Sequence, residues 1–452
     1  MSVSLLEFFD YKGWLFLGLL LPIIVFDVFM ARKDDGQHRY VFSYSTGSAI
    51  AAAMFAFVHA APLPSLEGNP FILAVGIVLV VSLWRFLFGP WDARVKAAVL
   101  GTFLFWIALR MFDHAAPSLR VAMLMAIGIA LIPSLIWCLL FLREHRERLS
   151  VVLLTFFAGM LSTAPILFYD YVVRKGFALD FFLFKVTPES FMRSSQTFAT
   201  QALTGQLGIL SASVASAIVS FIIVGIIEEV SKNWVMKASD REYFTSIDDV
   251  MQLSIIAAIG FAFAENIVNP QYFIAFVKEY LVTPAAPEWG TFLASIFGRS
   301  VITNMVHITS SGVLGYYYGL AFFAQPLLVE ERAQGKRHHL LGAFHRIFQV
   351  RRARLFQDQM IFRGLLFAIV LHSFFNIVVS LSDLLPGQPQ TIGALFQFSG
   401  FLSSLSIVAL PAMLYVFGGW FLLLYLFRRR EGLLEYGHKM HEELFVRDSS
   451  ST

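Results

Sequence analysis

Apolar runs recur along almost the whole chain, separated by short polar connections. They fall near 13–30, 45–63, 70–89, 95–112, 119–142, 149–171, 207–230, 249–268, 291–324, 361–383 and 402–427. A helix needs about 20 apolar residues to cross the hydrocarbon core of a bilayer. The pattern therefore predicts an all-α fold, a polytopic integral membrane bundle of about 11 transmembrane helices. The run 291–324 is longer than one crossing, which predicts a tilted helix or one that continues past the bilayer surface. No low-complexity segment, Gly-rich phosphate loop or internal repeat interrupts the series.

Composition agrees with the pattern. Hydrophobic residues make up 57% of the 452 positions against 14% charged, and the mean hydropathy is +0.69. A soluble domain of this length carries far more charge. The net charge of +3 is no argument for nucleic acid; the expected surroundings are the lipid bilayer. The single cysteine, Cys138, excludes a disulfide framework within the chain and a Cys-based metal site. The first apolar run, Trp14 to Met30, lacks a following cleavage region with small residues and reads as an anchor. Lys and Arg crowd the connections at 31–44, 143–148 and 325–360 and the Arg428–Arg430 tail, whereas 64–69 and 384–391 carry none. With eleven spans this places the N-terminus outside and the C-terminus in the cytoplasm. The connection 172–206 is the basic exception, long enough to fold over the outer face.

Ionisable residues at membrane depth are functional candidates, and they concentrate after residue 200. The chain is accordingly divided into an N-terminal membrane domain, 1–200, of about six spans and no assigned role. A membrane domain at 201–430 carries the chemistry, and 431–452 is a cytoplasmic tail. Four constellations lie in the second domain. Glu228-Glu229-x-x-Lys232 ends an apolar run, with Glu228 and Lys232 one turn apart and Glu229 about 100° away. Glu265-Asn266 interrupts the apolar segment GFAFAEN. His307 stands between Asn304 and Ser311, each one turn away, in a polar stripe. His372 and Asn376 share a helix face one turn apart. Taken singly, each reads equally as an ion pair, a polar clasp or a packed histidine. Together they place three carboxylates, two imidazoles and an amide on four spans.

Adjacent carboxylates at low dielectric are expected to share a proton and to act as general base toward water, returning the proton to a leaving amine. His307, His372 and Asn376 can donate to a developing oxyanion. That chemistry is peptide-bond hydrolysis inside a membrane. His and Glu are also zinc ligands, so the cofactor stays open between none and zinc. A proton-coupled transporter would use the same residue types, but should show matched broken helices in two repeated halves, and the polar clustering lies in one half only. A non-catalytic membrane scaffold is the third reading. An aspartyl site is not formed, since Tyr169-Asp170 has no GxGD after it. The Thr309–Gly312 segment lacks the first glycine of GxSG, and His441-Glu442-Glu443 is no HExxH.

In the order EExxK, GFAxxEN, a His-containing span ending in small residues and tyrosines, then HxxxN, the chain resembles the PrsW family of intramembrane proteases. That family is related to the CAAX prenyl endopeptidase and bacteriocin-processing superfamily. The resemblance covers about residues 220–380. It implies that Glu228, Glu229, Glu265, His307, His372 and Asn376 form the catalytic set, with His307, His372 and Glu265 as ligands if a metal is present. It also implies a multi-pass protein of the bacterial cytoplasmic (inner) membrane, cleaving a membrane-anchored protein such as an anti-sigma factor. The oligomeric state is not assigned.

Overall fold

The computed structural model describes residues 91–144, 146–174, 179–181, 184–186, 214–268, 277–282, 289–333, 351–380, 389–397 and 399–428. The spans expected near 13–30, 45–63 and 70–89, most of 172–206 and the 431–452 tail lie outside these residues. Helix dominates the described part: α1 (Ala93–His114), α2 (Pro117–Glu144), α3 (Leu149–Leu161) and α4 (Ala164–Arg174) come first. They are followed by α5 (Val214–Asp240), α6 (Ile247–Val268), α7 (Trp289–Phe297) and α8 (Asn304–Phe322). The last set is α9 (Ala324–Ala333), α10 (Arg352–Val379), α11 (Ala409–Met413) and α12 (Trp420–Arg428). One departure from the all-α expectation is a two-stranded antiparallel ribbon, Leu179–Phe181 with Phe184–Val186, in the long connection. Among the described residues, five helical stretches are long and apolar enough to cross a membrane: Pro117–Arg143, Leu149–Tyr169, Ile247–Ile267, Arg352–Val379 and Ala409–Phe427. The chain is a multi-pass membrane protein.

The described residues fall into two compact units. One ends at Ala116 and includes Arg148–Ala158; the other comprises Pro117–Glu147 and everything from Gly159 onward. In the first, Leu100 and Phe103 of α1 and Leu154 of α3 are fully buried.

The second unit is organised around α6. Its spanning window is entirely enclosed by protein, whereas α10 and the Ala409–Phe427 stretch bury 28% of theirs. A helix that is apolar on every face belongs in an interior, and SIIAAIGFAFA fits that description. Glycines let its neighbours come close, as small residues do between helices in lipid. A Cβ on Gly159 would lie 2.1 Å from Ala257 O, and one on Gly315 would lie 2.9 Å from Met251 Cα. On the other side of the unit, a Cβ on Gly225 of α5 would lie 2.6 Å from Ser373 Oγ of α10. That close approach occurs within a turn of Glu228 and Glu229 on one helix and His372 on the other.

Four features differ from the hydropathy pattern. Helix α5 runs on through the charged residues to Asp240, so its glutamates lie mid-helix rather than at its end. Helix α10 begins at Arg352, about two turns before its apolar stretch, because RARLFQDQM is polar yet helix-compatible. The long 291–324 run is continuous helix from Trp289 to Phe322, but Gly298–Thr303 within it is a π segment. The 149–171 run breaks at Ser162-Thr163, just before Pro165. Its freed carbonyls are satisfied by Ser162 Oγ to Gly159 O at 2.6 Å and Thr163 Oγ1 to Met160 O at 2.7 Å. Ser231 Oγ of α5 donates to Ser162 O at 3.0 Å, which ties the rotation of α5 to that break.

Candidate active site

Helices α5, α6, α8 and α10 bring Glu228, Glu229, Glu265, His307 and His372 together. Glu228, Glu229, His307 and His372 are buried, as is Lys232, while the Glu265 side chain keeps 20% exposure. Glu229, fully buried, is the hub. Its Oε1 accepts from Lys232 Nζ at 2.5 Å and Ser310 Oγ at 3.0 Å, and its Oε2 accepts from Ser311 Oγ at 3.1 Å. His372 Nδ1 lies 2.8 Å from the same Oε1. A carboxylate that already accepts from an ammonium has no proton to give, so Nδ1 is the ring atom that carries the proton. Nε2 is then the ring nitrogen of His372 turned away from Glu229.

That Nε2 points at the other glutamate. Glu228 Oε2 lies 3.3 Å from His372 Nε2 and 3.8 Å from His307 Nδ1, and it is buried without a hydrogen bond. The two glutamates therefore sit on opposite sides of the His372 ring. No hydrogen bond joins the two carboxylates, whose adjacency suggested a shared proton. The His307 ring is held by three side chains from two helices. Lys232 Nζ is 3.3 Å from its Nδ1, Glu265 Oε2 is 3.3 Å from its Nε2, and the Phe261 ring of α6 lies 5.1 Å away between centroids. The two imidazoles meet edge-on at 4.9 Å. Arg299 Nη1, from the π segment, reaches Glu265 Oε1 at 3.5 Å.

Ligand atoms of Glu228, His307 and His372 all lie within 4.8 Å of one another. The sequence had grouped Glu265, rather than Glu228, with the histidines as a metal set. In the structure Glu265 meets His307 from the Nε2 side and also contacts Arg299. Asn376, one turn beyond His372, is half-buried, and no side-chain hydrogen bond joins it to the cluster among the described residues. The backbone carbonyl of Leu371, next to His372, accepts from the Tyr415 hydroxyl, which helps to fix the position of α10.

Lys232 pairs with Glu229 at i,i+3 and not with Glu228 at i,i+4, although both spacings share a helix face. Ser310, Arg299 and Phe261 were not among the expected site residues. A serine in a TSSG stretch or a phenylalanine in an apolar span carries no local signal of a partner on another helix. Arg299 was legible as a charge within an apolar run.

Helices long and apolar enough to cross a membrane surround a buried carboxylate–imidazole centre, an arrangement that an intramembrane hydrolase requires. The model of the PrsW family of intramembrane metalloproteases matches residues 147–408, more than half of the chain, and the chain belongs to that family. It is a membrane protease. No curated protein and no solved structure matches it.

Proposed function

We propose that the chain hydrolyses a peptide bond of a membrane-anchored protein at the centre formed by Glu228, His307 and His372, in the 201–430 part of the chain. The observation that carries this reading is the buried Glu228 Oε2, without a hydrogen bond, facing Nε2 of His372 at 3.3 Å. Two acceptors at that distance repel unless something positive lies between them, either a proton or a metal ion. The donor set of two imidazoles and a carboxylate fits zinc, with Glu228, His307 and His372 holding it. A bound zinc ion polarises a carbonyl oxygen and acidifies water.

The chain's own groups have separate parts. Glu229 orients His372 and keeps its proton on Nδ1, the role a carboxylate plays behind a ligating histidine. Lys232 balances the charge of Glu229. Glu265, the most open of the three carboxylates, takes a proton from the attacking water and returns it to the leaving amine. One water is thus added across one C–N bond with no net change in protons. Asn376 donates to the carbonyl oxygen.

Purified wild type is expected to hold about one zinc ion per chain and to cleave a reconstituted single-span substrate. His307→Ala and His372→Ala should lose most of that metal together with activity, as read by elemental analysis beside the cleavage assay. A metal-free wild type that still cleaves in strong chelator would remove zinc from the mechanism and leave Glu228 as the base.

We also propose a bacterial inner-membrane orientation with the basic connections in the cytoplasm. Single cysteines placed at 334–350 and at 187–206 in a Cys138→Ala background should label from opposite sides of the membrane. Labelling of both from one side would overturn that orientation.

A further inference from the structure

Among the residues that the proposed mechanism does not use, Asn304 is the most conspicuous. It is 2% exposed and stands at the junction of the π segment Gly298–Thr303 with α8, one turn before His307 on the same side of the helix. Its Nδ2 donates to Ser300 O at 2.9 Å. The same carbonyl accepts from the indole Nε1 of Trp137, on α2, at 3.0 Å. Because Ser300 O can only accept, the amide nitrogen of Asn304 must face it, and the orientation of the side chain is settled by chemistry. The other end of the amide, Oδ1, is left buried without a donor. A buried acceptor in that state is costly, and the cost is not incidental to one stray rotamer: α2, the π segment and α8 all combine to hold the amide that way. The anchoring carbonyl also belongs to the residue next to Arg299, whose guanidinium contacts Glu265. The amide is therefore anchored next to the residue that contacts Glu265.

We propose that Asn304 is a substrate-binding residue whose Oδ1 accepts a backbone N–H of the substrate beside the scissile bond. A transmembrane segment must unwind locally to be hydrolysed, and its freed N–H groups then need acceptors where no water competes. Asn304 Oδ1 is an acceptor already desolvated and already oriented, so once the packed helices admit the substrate the bond requires no further desolvation of the enzyme. Wide turns of this kind occur often at functional sites, and here the turn leaves Ser300 O free to hold the amide. The substrate recognised is main chain, so the contact selects an unwound peptide and not a particular side chain.

This inference rests on the peptidase reading, and the experiment separates the two. Reconstituted wild type is given a series of synthetic single-span peptides in which successive amides near the cleavage site are replaced by esters, removing one N–H at a time. One position should lower kcat/KM about tenfold in the wild type, the scale of a single lost hydrogen bond. In Asn304→Leu, the all-amide peptide should already be cleaved about tenfold more slowly, and the ester at that position should cost less than a further twofold. A side chain with a merely structural role would slow every peptide equally and leave the ester sensitivity intact, which would overturn the proposal. A flat wild-type ester profile would overturn it too, without reference to any variant. Should Asn304→Leu not fold, Asn304→Ala is put to the same comparison. Failure of the wild type to cleave any peptide would overturn the peptidase reading, and this inference with it.

Discussion

Glu228→Gln is expected to abolish peptide cleavage while the protein still folds. Glu228 Oε2 makes no hydrogen bond in the buried cluster, so an amide of the same shape leaves no donor or acceptor newly stranded by its loss. What disappears is the negative charge facing His372 Nε2 at 3.3 Å and His307 Nδ1 at 3.8 Å. With it goes either a metal ligand or the group that takes a proton from water. Loss of such a group lowers a rate by about 10²- to 10⁴-fold. The measurement is cleavage of a reconstituted substrate beside thermal unfolding of the same preparation. Activity within a few-fold of wild type would remove Glu228 from the centre of the mechanism. An unfolded variant would show that its role is structural instead.

The neighbouring substitution should behave differently. Glu229→Gln removes the counter-charge of Lys232 at a place where Glu229 is 0% and Lys232 2% exposed. The Lys232 ammonium would keep the Phe261 ring, 4.8 Å from its nitrogen, the His307 ring and the more distant Glu228 carboxylate as neighbours of use, but no directly paired carboxylate. Breaking a buried ion pair by neutralising one partner costs about 3–5 kcal/mol, whereas neutralising both is often far less damaging. The expected result is a strongly destabilised Glu229→Gln and a double variant, Glu229→Gln with Lys232→Met, that unfolds at a higher temperature than the single one. His372 would still lose its orienting carboxylate, so the double variant should regain stability without regaining full activity. Additive losses in the two single variants would mean that the pair is not coupled as its geometry indicates.

The separate behaviour expected of two adjacent glutamates bears on what could be read in the chain. Hydropathy located the helices between residues 93 and 428, since apolar runs of that length have little alternative to helix in a membrane. The order of EExxK, the Glu265 segment, the His307 span and HxxxN pointed to the four helices whose side chains meet in the cluster, because a charge or imidazole in an apolar run is visible without knowing its partner.

The face each helix turns inward was not legible. Around a soluble helix, polar residues mark the outside; in lipid the outside is as apolar as the core, and a hydrophobic pattern does not distinguish them. Thus Ile132 and Ile136 of α2 are exposed, while Ile255 and Ile256 of α6 are fully buried, with no difference in residue type to tell them apart. The same holds for the site. Sequence determined that Glu228, Glu229 and Lys232 occupy one helix. Only packing, through Ser231 against the break at Ser162 and Gly225 against Ser373, fixed the rotation that turns Glu229 to Lys232, Ser310 and Ser311 and leaves Glu228 facing the histidines. Residue spacing constrains which groups share a helix; contacts between distant helices decide which of them meet.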